Sequence, residues 1–230
     1  MKCYNKYYRL SDEDINDQSH RFHVGALWDE MGSLQFDFMK NVGGLKSGHR
    51  LLDLACGSFR GGVYFIDYLN NRNYYGHDIS EPLIKAGFEK EIVPRNLDSK
   101  FDLGNVSINA DFDFSKFDGV RFDKVVSISL FSHLPKKHFV KAMRNLRNHL
   151  HQNSEVYISF FLVNEKGYGG PYVHNSGAGV TTYPDQDPYH YTWGQIQSVA
   201  EISGYDVIMC PDPKFPRKQL IAKFTPCPPQ

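Results

Sequence analysis

Three aspartates stand where a short apolar run gives way to a break in the chain. They are Asp53 in LLDLACGSFRGG (51–62), Asp78 in NYYGHDIS (73–80) and Asp111 in NADFDF (109–114). Each run reads as a buried strand that brings a carboxylate to its far end. A carboxylate there attracts a cation or accepts hydrogen bonds from hydroxyl and amino groups. After Asp53 come Ala55-Cys56-Gly57-Ser58-Phe59-Arg60-Gly61-Gly62, a loop of mostly small residues through which backbone can approach a ligand closely. Strand, small-residue loop and helix start, in that order, is how α/β sheets hold an adenosine-type cofactor.

The loop also says which cofactor. A dinucleotide loop would read G-x-G-x-x-G and seat pyrophosphate on the helix N-terminus. Here Asp53 lies two residues before the first small position, where it would repel pyrophosphate. It would instead attract an ammonium group, directly or through water, such as that on the amino-acid end of S-adenosylmethionine (SAM). Arg60 offers a forked donor to the same ligand's carboxylate, or pairs with a surface acid. Asp78 can accept from both ribose hydroxyls, or cap the next helix. Asp111 can accept from an adenine amino group with Phe112 packed nearby, or form a turn.

Elements that would position these residues are legible in the periodicity. Strands are predicted at 50–55, 73–78, 106–110, 122–131, 155–163, 205–209 and 219–224. A stripe of Phe22, Ala26, Leu27 and Met31 predicts a helix over 20–31. Ser33 is expected to cap a second helix, bearing Phe36, Met39 and Val42 and closed by Gly43-Gly44. Ser80 and Pro82 start another helix. Pro135 opens one with Phe139, Met143, Leu146 and Leu150 on its apolar side. Thr192 and Gln195 form a T-x-x-Q capping box for a last helix ending at Gly204. Residues 91–104 are ambiguous, and 164–191 read as a long loop. The last two strands have no helix between them and predict an antiparallel hairpin. The alternation predicts an α/β fold: a doubly wound, mostly parallel sheet with helices on both faces. Residues 1–45 are expected to form an N-terminal helical segment or lid, and 46–230 the main domain with an acceptor loop at about 164–191.

LLDLACGS, YYGHDIS, NADFDF, FDKVVSISLFSHLP and the final hairpin together resemble the class I (Rossmann-like) SAM-dependent methyltransferases of the small-molecule type. The resemblance covers roughly residues 20–225. It implies a seven-stranded sheet of order 3-2-1-4-5-7-6 with strand 7 antiparallel. It places the family's cofactor-binding acids on Asp53, Asp78 and Asp111. It also implies cofactor contacts from Ala55, Gly57, Ser58, Arg60, Ile79, Phe112 and Ser129, with Trp28 and the N-terminal tyrosines as a lid. The family loop is D/E-x-G-x-G-x-G; here Ala55 and Phe59 replace the first and third glycines. Phe59 is expected to alter the far side of the loop.

In that family substrate-facing residues follow the fourth strand, here Ser129-Leu130-Phe131-Ser132-His133-Leu134. Neither N/D-P-P-Y/F, which orients an amino group, nor the Pro-Cys of 5-methylcytosine chemistry is present. His133 is the first candidate base, since histidine titrates near neutrality, although it equally suits a strand-to-helix turn. His174 and His190, with Tyr189 and Tyr191, are candidates to line an acceptor pocket. The implied function is methyl transfer to a small molecule at a hydroxyl, of a saccharide or other natural-product-like metabolite. Two alternatives stand: a SAM-binding scaffold without turnover, and an NAD(P)-dependent Rossmann oxidoreductase.

Composition narrows the classes further. The chain has 230 residues and formal net charge +0, which argues against a dedicated nucleic-acid binder. Its four cysteines, Cys3, Cys56, Cys210 and Cys227, are scattered and fit no zinc site. Cys56 suits packing better than nucleophilic chemistry. His20 and His23 lack further ligands in sequence, so no metal is expected. No signal peptide or membrane span is expected, and scattered cysteines suit the reducing cytoplasm. Oligomeric state stays open.

Overall fold

Strand β1 (Leu51–Leu54) is buried along its whole length. A strand alternates its side chains, so the two faces of β1 feed two separate cores. Leu52 and Leu54 face one core, and Leu51 faces the other. We describe residues 10–15, 19–25, 27–174 and 179–228 of the computed structural model.

Seven strands form the main sheet: β1, β2 (Tyr74–Asp78), β3 (Val106–Ile108), β4 (Phe122–Ser127), β5 (Leu150–Phe160), β8 (Tyr205–Met209) and β9 (Leu220–Pro226). Their spatial order is β3-β2-β1-β4-β5-β9-β8. Pairings from β3 through to β5 are parallel, and β9 runs antiparallel to both β5 and β8. Counted in chain order within this sheet, that is the 3-2-1-4-5-7-6 arrangement the resemblance implied. The order reverses at β1, which lies between β2 and β4, and the crevice at that switch point is where α/β sheets bind ligands.

One face is covered by α5 (Lys136–Leu146) and α6 (Trp193–Ser203). Helix α5 buries Phe139, Ala142, Met143 and Leu146, a spacing that lines one helical face. The α6 capping box forms as expected, and Gly204 closes the helix with φ 78°. The other face carries α2 (Trp28–Asn41), α3 (Gly62–Tyr68) and α4 (Glu81–Gly87). Ser80 caps α4, its hydroxyl accepting from the Leu83 amide.

Four boundaries differ from expectation. The N-terminal stripe divides into α1 (Ser19–His23) and α2, so Ser33 lies inside a helix rather than capping one. Gly25 and Leu27 explain it: φ values of 103° and 61° break the chain just before Trp28. Ala26 of that stripe and the N-terminal tyrosines lie outside the described residues. Strand β4 stops at Ser127, because Ser129 takes φ 67° and Phe131–His133 coil into a 3₁₀ turn. Leu150 starts β5 instead of ending α5, since a 3₁₀ turn at Arg147–His149 ends the helix first. The 164–191 stretch is not all loop; it holds a small hairpin of β6 (Tyr172–His174) and β7 (Val180–Thr182).

Segment 19–23 is fastened by a buried carboxylate. Glu91 accepts from His20, Arg21 and Arg95 at 2.6–2.8 Å. Burial alone would raise its carboxyl, but the hydrogen bonds from Arg21, His20 and Arg95 together hold it below its usual range. Two glycines bring helices onto the β1–α3 loop. A Cβ on Gly32 would lie 2.4 Å from the Arg60 carbonyl oxygen, and one on Gly87 would lie 2.7 Å from the Ser58 backbone. Gly87→Ala is therefore expected to destabilise the protein by about 1–3 kcal/mol in urea unfolding. A loss below about 0.5 kcal/mol would show that the loop yields freely.

Candidate functional site

The β1–α3 loop turns three times into the left-handed region: Ala55 at φ 72°, Gly57 at 53° and Phe59 at 65°. These are the three positions where the family loop has glycine. The two substitutions keep the conformation, at a cost of order 1–2 kcal/mol for each side chain there. Phe59 offsets this by burial. Its ring is fully buried, with centroids 5.3 Å from Phe101 and 6.3 Å from Tyr74. The expected change on the loop's far side is thus an aromatic plug in the core, and the ligand side is left as glycine would leave it.

A cavity of about 560 Å³ opens beside this loop at the carboxyl ends of β1, β2 and β4. That size suits a nucleoside-sized ligand. Asp53, Ala55, Gly57, Arg60, Asp78 and Ile79 line it on one side. Asp111, Phe112, Ser129 and His133 line it on the other. Of the predicted cofactor contacts, only Ser58 and Trp28 fall elsewhere. Ser58 turns its hydroxyl away, donating to the His20 carbonyl, because its neighbour Phe59 takes the core-facing place. Trp28 stands edge-on to His20, with the Arg21 guanidinium 5.2 Å over its ring, and so braces α1.

The two acids are held differently. Asp78 is pinned by three backbone amides: Gly57 donates to Oδ2, and Ile79 and Ser80 donate to Oδ1, all at 2.8–2.9 Å. Burial raises its carboxyl against those donors. Asp53 is 8% exposed, and one of its oxygens accepts from the Tyr74 hydroxyl at 2.9 Å. Burial pushes it up to about 7; the Tyr74 hydrogen bond and Arg60 oppose the shift, and the charge of Asp78 adds to it. An acid poised near neutrality in a cavity wall suits a ligand that brings a positive charge.

Arg60 donates from Nη1 to the Val24 carbonyl, which ties the cavity wall to the segment before α2. Asp111 sits at the rim with its side chain 80% exposed and paired to Lys141 at 2.6 Å. Phe112 is buried and stacks on His77 at 5.6 Å and 17°. Asn109 shapes this edge, since its side-chain oxygen accepts from the Asp111 and Asp113 amides. The Ser129 hydroxyl donates to Gln219. Cys56 is buried in the cavity wall, where burial raises its thiol, in keeping with packing.

The three candidate histidines separate. His133 lines the cavity, and its Nδ1 lies 2.7 Å from Asp187 Oδ1. That contact puts the proton on Nδ1 and the basic lone pair on Nε2. His174 and His190 do not reach the cavity. Both are buried against the Thr182 hydroxyl at 2.8 Å, and His190 also contacts the Tyr168 carbonyl. Forming the β6–β7 hairpin draws them inward, and burial pushes His174 down to about 4. Tyr191 donates to the Phe131 and Leu134 carbonyls, fixing the turn that carries His133. Sequence reasoning missed Tyr74, Asp187, Asn109 and Gln35, the last a buried side chain of α2 in the cavity wall. Among the described residues no group of three or more His, Cys, Asp or Glu could hold a metal.

Residues 52–156 match the family profile described as a methyltransferase domain, and this segment runs from β1 into β5. The chain carries a methyltransferase domain over this segment, on a sheet of the class I order. The match sets aside the nicotinamide oxidoreductase alternative. The methyltransferase fold recurs in magnesium protoporphyrin IX methyltransferase from Synechocystis PCC 6803 with bound S-adenosylhomocysteine (SAH). That structure is 15% identical with TM-score 0.60, over 94% of this chain and 97% of that one. The CcbJ methyltransferase from Streptomyces caelestis is 15% identical with TM-score 0.60, over 89% of this chain and 98% of that one. A putative O-methyltransferase from Nostoc punctiforme PCC 73102 is 12% identical with TM-score 0.64, over 90% of this chain and 59% of that one. At such identities the likeness is one of fold.

Tyr74 gives the methyltransferase a pH signature. Removing its hydroxyl removes a donor to ionised Asp53, so that acid should titrate higher. Tyr74→Phe is expected to weaken binding of SAH, which carries the amino-acid ammonium, at pH 7 and to regain most of it by about pH 9. Calorimetry across pH checks this, and a uniform loss at every pH would refute the electrostatic role.

Proposed function

We propose that this methyltransferase holds SAM in the cavity between β1, β2 and β4 and methylates a hydroxyl oxygen of a small molecule. The observation that carries the reading is the buried pair Asp53 and Asp78, facing one cavity and each hydrogen-bonded to neutral donors. Tyr74-supported Asp53 takes the ligand's ammonium, and Arg60 takes its carboxylate. Asp78 accepts from the ribose hydroxyls. Ile79 and Phe112 enclose the adenine, with Asp111 at the rim within reach of its amino group. When bound, SAM supplies an electrophilic methyl carbon on a sulfonium sulfur.

The protein's work at the reacting end is alignment and proton removal. Nε2 of His133, oriented by Asp187, accepts the proton from the acceptor hydroxyl as oxygen attacks. The segment 19–25 serves as a lid, since Val24 lines the cavity and both Ser58 and Arg60 donate to its backbone. A hydroxylated metabolite, saccharide or otherwise, suits the aromatic side chains around His133. No helix among the described residues is long and apolar enough to cross a membrane. Free Cys56, Cys210 and Cys227 suit the reducing cytoplasm. The scaffold reading rested on Phe59, and it loses that support because Phe59 preserves the loop's turn.

Calorimetry with SAM and SAH tests the reading. Wild-type protein should bind both, and Asp78→Ala should weaken each by roughly 10- to 150-fold, the worth of hydrogen bonds to a charged group. Wild-type protein that binds neither would sink it. Once an acceptor is found by labelled methyl transfer, His133→Asn should slow turnover about 10²–10⁴-fold at saturating SAM.

A further inference from the structure

A second recess, of about 280 Å³, lies where α5 begins. Lys136, Lys137, Tyr168, Asp185 and Tyr189 are among its walls. Lys137 lines both this recess and the cofactor cavity. The two spaces share more than that side chain. His133 lies four residues before Lys137, and its partner Asp187 comes from the segment 184–190 that walls the recess. An acceptor with its nucleophilic oxygen at His133 therefore has one built extension, past Lys137.

The charges around this extension do not cancel. Asp187 is engaged by His133, and Asp111 by Lys141. Asp185 is the acid that faces the recess, against the two cations Lys136 and Lys137. Fold stability does not ask for those lysines, because cations in a helix's first turn oppose its dipole. The turn of α5 that would favour acids carries none. His190 has both ring nitrogens engaged by Thr182 and the Tyr168 carbonyl, so neither is offered to a ligand in the recess. The Tyr168 and Tyr189 rings supply faces for a flat or pyranose ring.

We propose that the acceptor is anionic: a hydroxyl-bearing ring with a carboxylate or phosphate group, seated in this recess with its charge on Lys136 and Lys137. The assignment rests on the methyltransferase reading above. It makes Lys136 and Lys137 specificity-determining residues, distinct from the acids that hold the cofactor.

The test uses full-length protein saturated with SAH, titrated calorimetrically with matched pairs. The pairs are 4-hydroxybenzoate with its amide, and glucose 6-phosphate with glucose. At least one anion is expected to bind about tenfold tighter than its neutral partner, and the pair that responds identifies carboxylate or phosphate. The double variant Lys136→Ala/Lys137→Ala should remove that preference, about a tenfold loss for two partly exposed charges. Asp185→Asn should move it the other way, tightening the anion about threefold, which a folding defect would not do. Neutral partners binding equally well, no anion binding at millimolar concentration, or a preference untouched by either variant would each overturn the proposal. Failure to bind SAH at the outset would instead overturn the reading on which it rests.

Discussion

Asp53 and Asp78 end neighbouring parallel strands, and both carboxylates are buried and held by neutral donors. Much of the local structure follows from holding them there. Asp78 needs amide donors, and the Gly57 amide reaches it only if the loop after β1 folds back over the end of β2. That fold requires the left-handed turns at 55, 57 and 59. A loop so tightly turned must be gripped from outside, and α2 and α4 come close enough only through Gly32 and Gly87. Phe59 then fills the space beneath, against Tyr74 and Phe101. Tyr74 is also the donor to Asp53, so the plug and the carboxylate share one side chain.

The arrangement is unfavourable for the ligand-free protein. Asp53 titrates near 7 in the folded chain and near the ordinary carboxylate value when unfolded. Between those values the folded state holds a proton the unfolded state has lost, so stability falls as pH rises toward 7. Above that window the folded chain carries a buried anion. A cationic ligand favours the ionised acid and so offsets this cost.

What was legible in the sequence were features set by neighbours along the chain. Asp53 and Asp78 could be placed because a strand of four or five residues delivers its end to the sheet edge. Thr192 with Gln195, Ser80 before Pro82 and the final hairpin are likewise short-range patterns. What escaped was decided by residues far apart. Asp187 meets His133 across 54 positions, and Tyr74 looks like any strand tyrosine until its hydroxyl is found on Asp53. The direction of Ser58 follows from where Phe59 had to go. His174 and His190 match an acceptor pocket by type; a hairpin hidden inside a Gly- and Tyr-rich stretch turns both onto Thr182, and His190 still lines the recess where α5 begins. Ser33 had the chemistry of a cap, yet Gly25 and Leu27 had already placed the break upstream.

The proposed acceptor side is built from other parts of the chain than the proposed cofactor side. The first three strands and their loops supply Asp53, Asp78, Asp111 and their supports. The turn after β4, the first turn of α5 and the segment 183–193 supply His133, Asp187, Lys136, Lys137 and Tyr189. These two pieces lock to each other: Tyr189 donates its amide to the Ser132 carbonyl, and Tyr191 donates its hydroxyl to the Phe131 and Leu134 carbonyls. Ser132 in turn donates to the Ser129 carbonyl at the end of β4. His133, the proposed proton acceptor, is therefore positioned by the same backbone contacts that shape the recess, while the carboxylates of the larger cavity are positioned without them. Sequence change in 183–193 is therefore expected to reshape the proposed acceptor side while leaving the Asp53 and Asp78 geometry intact, a separation by which one fold can host different functions.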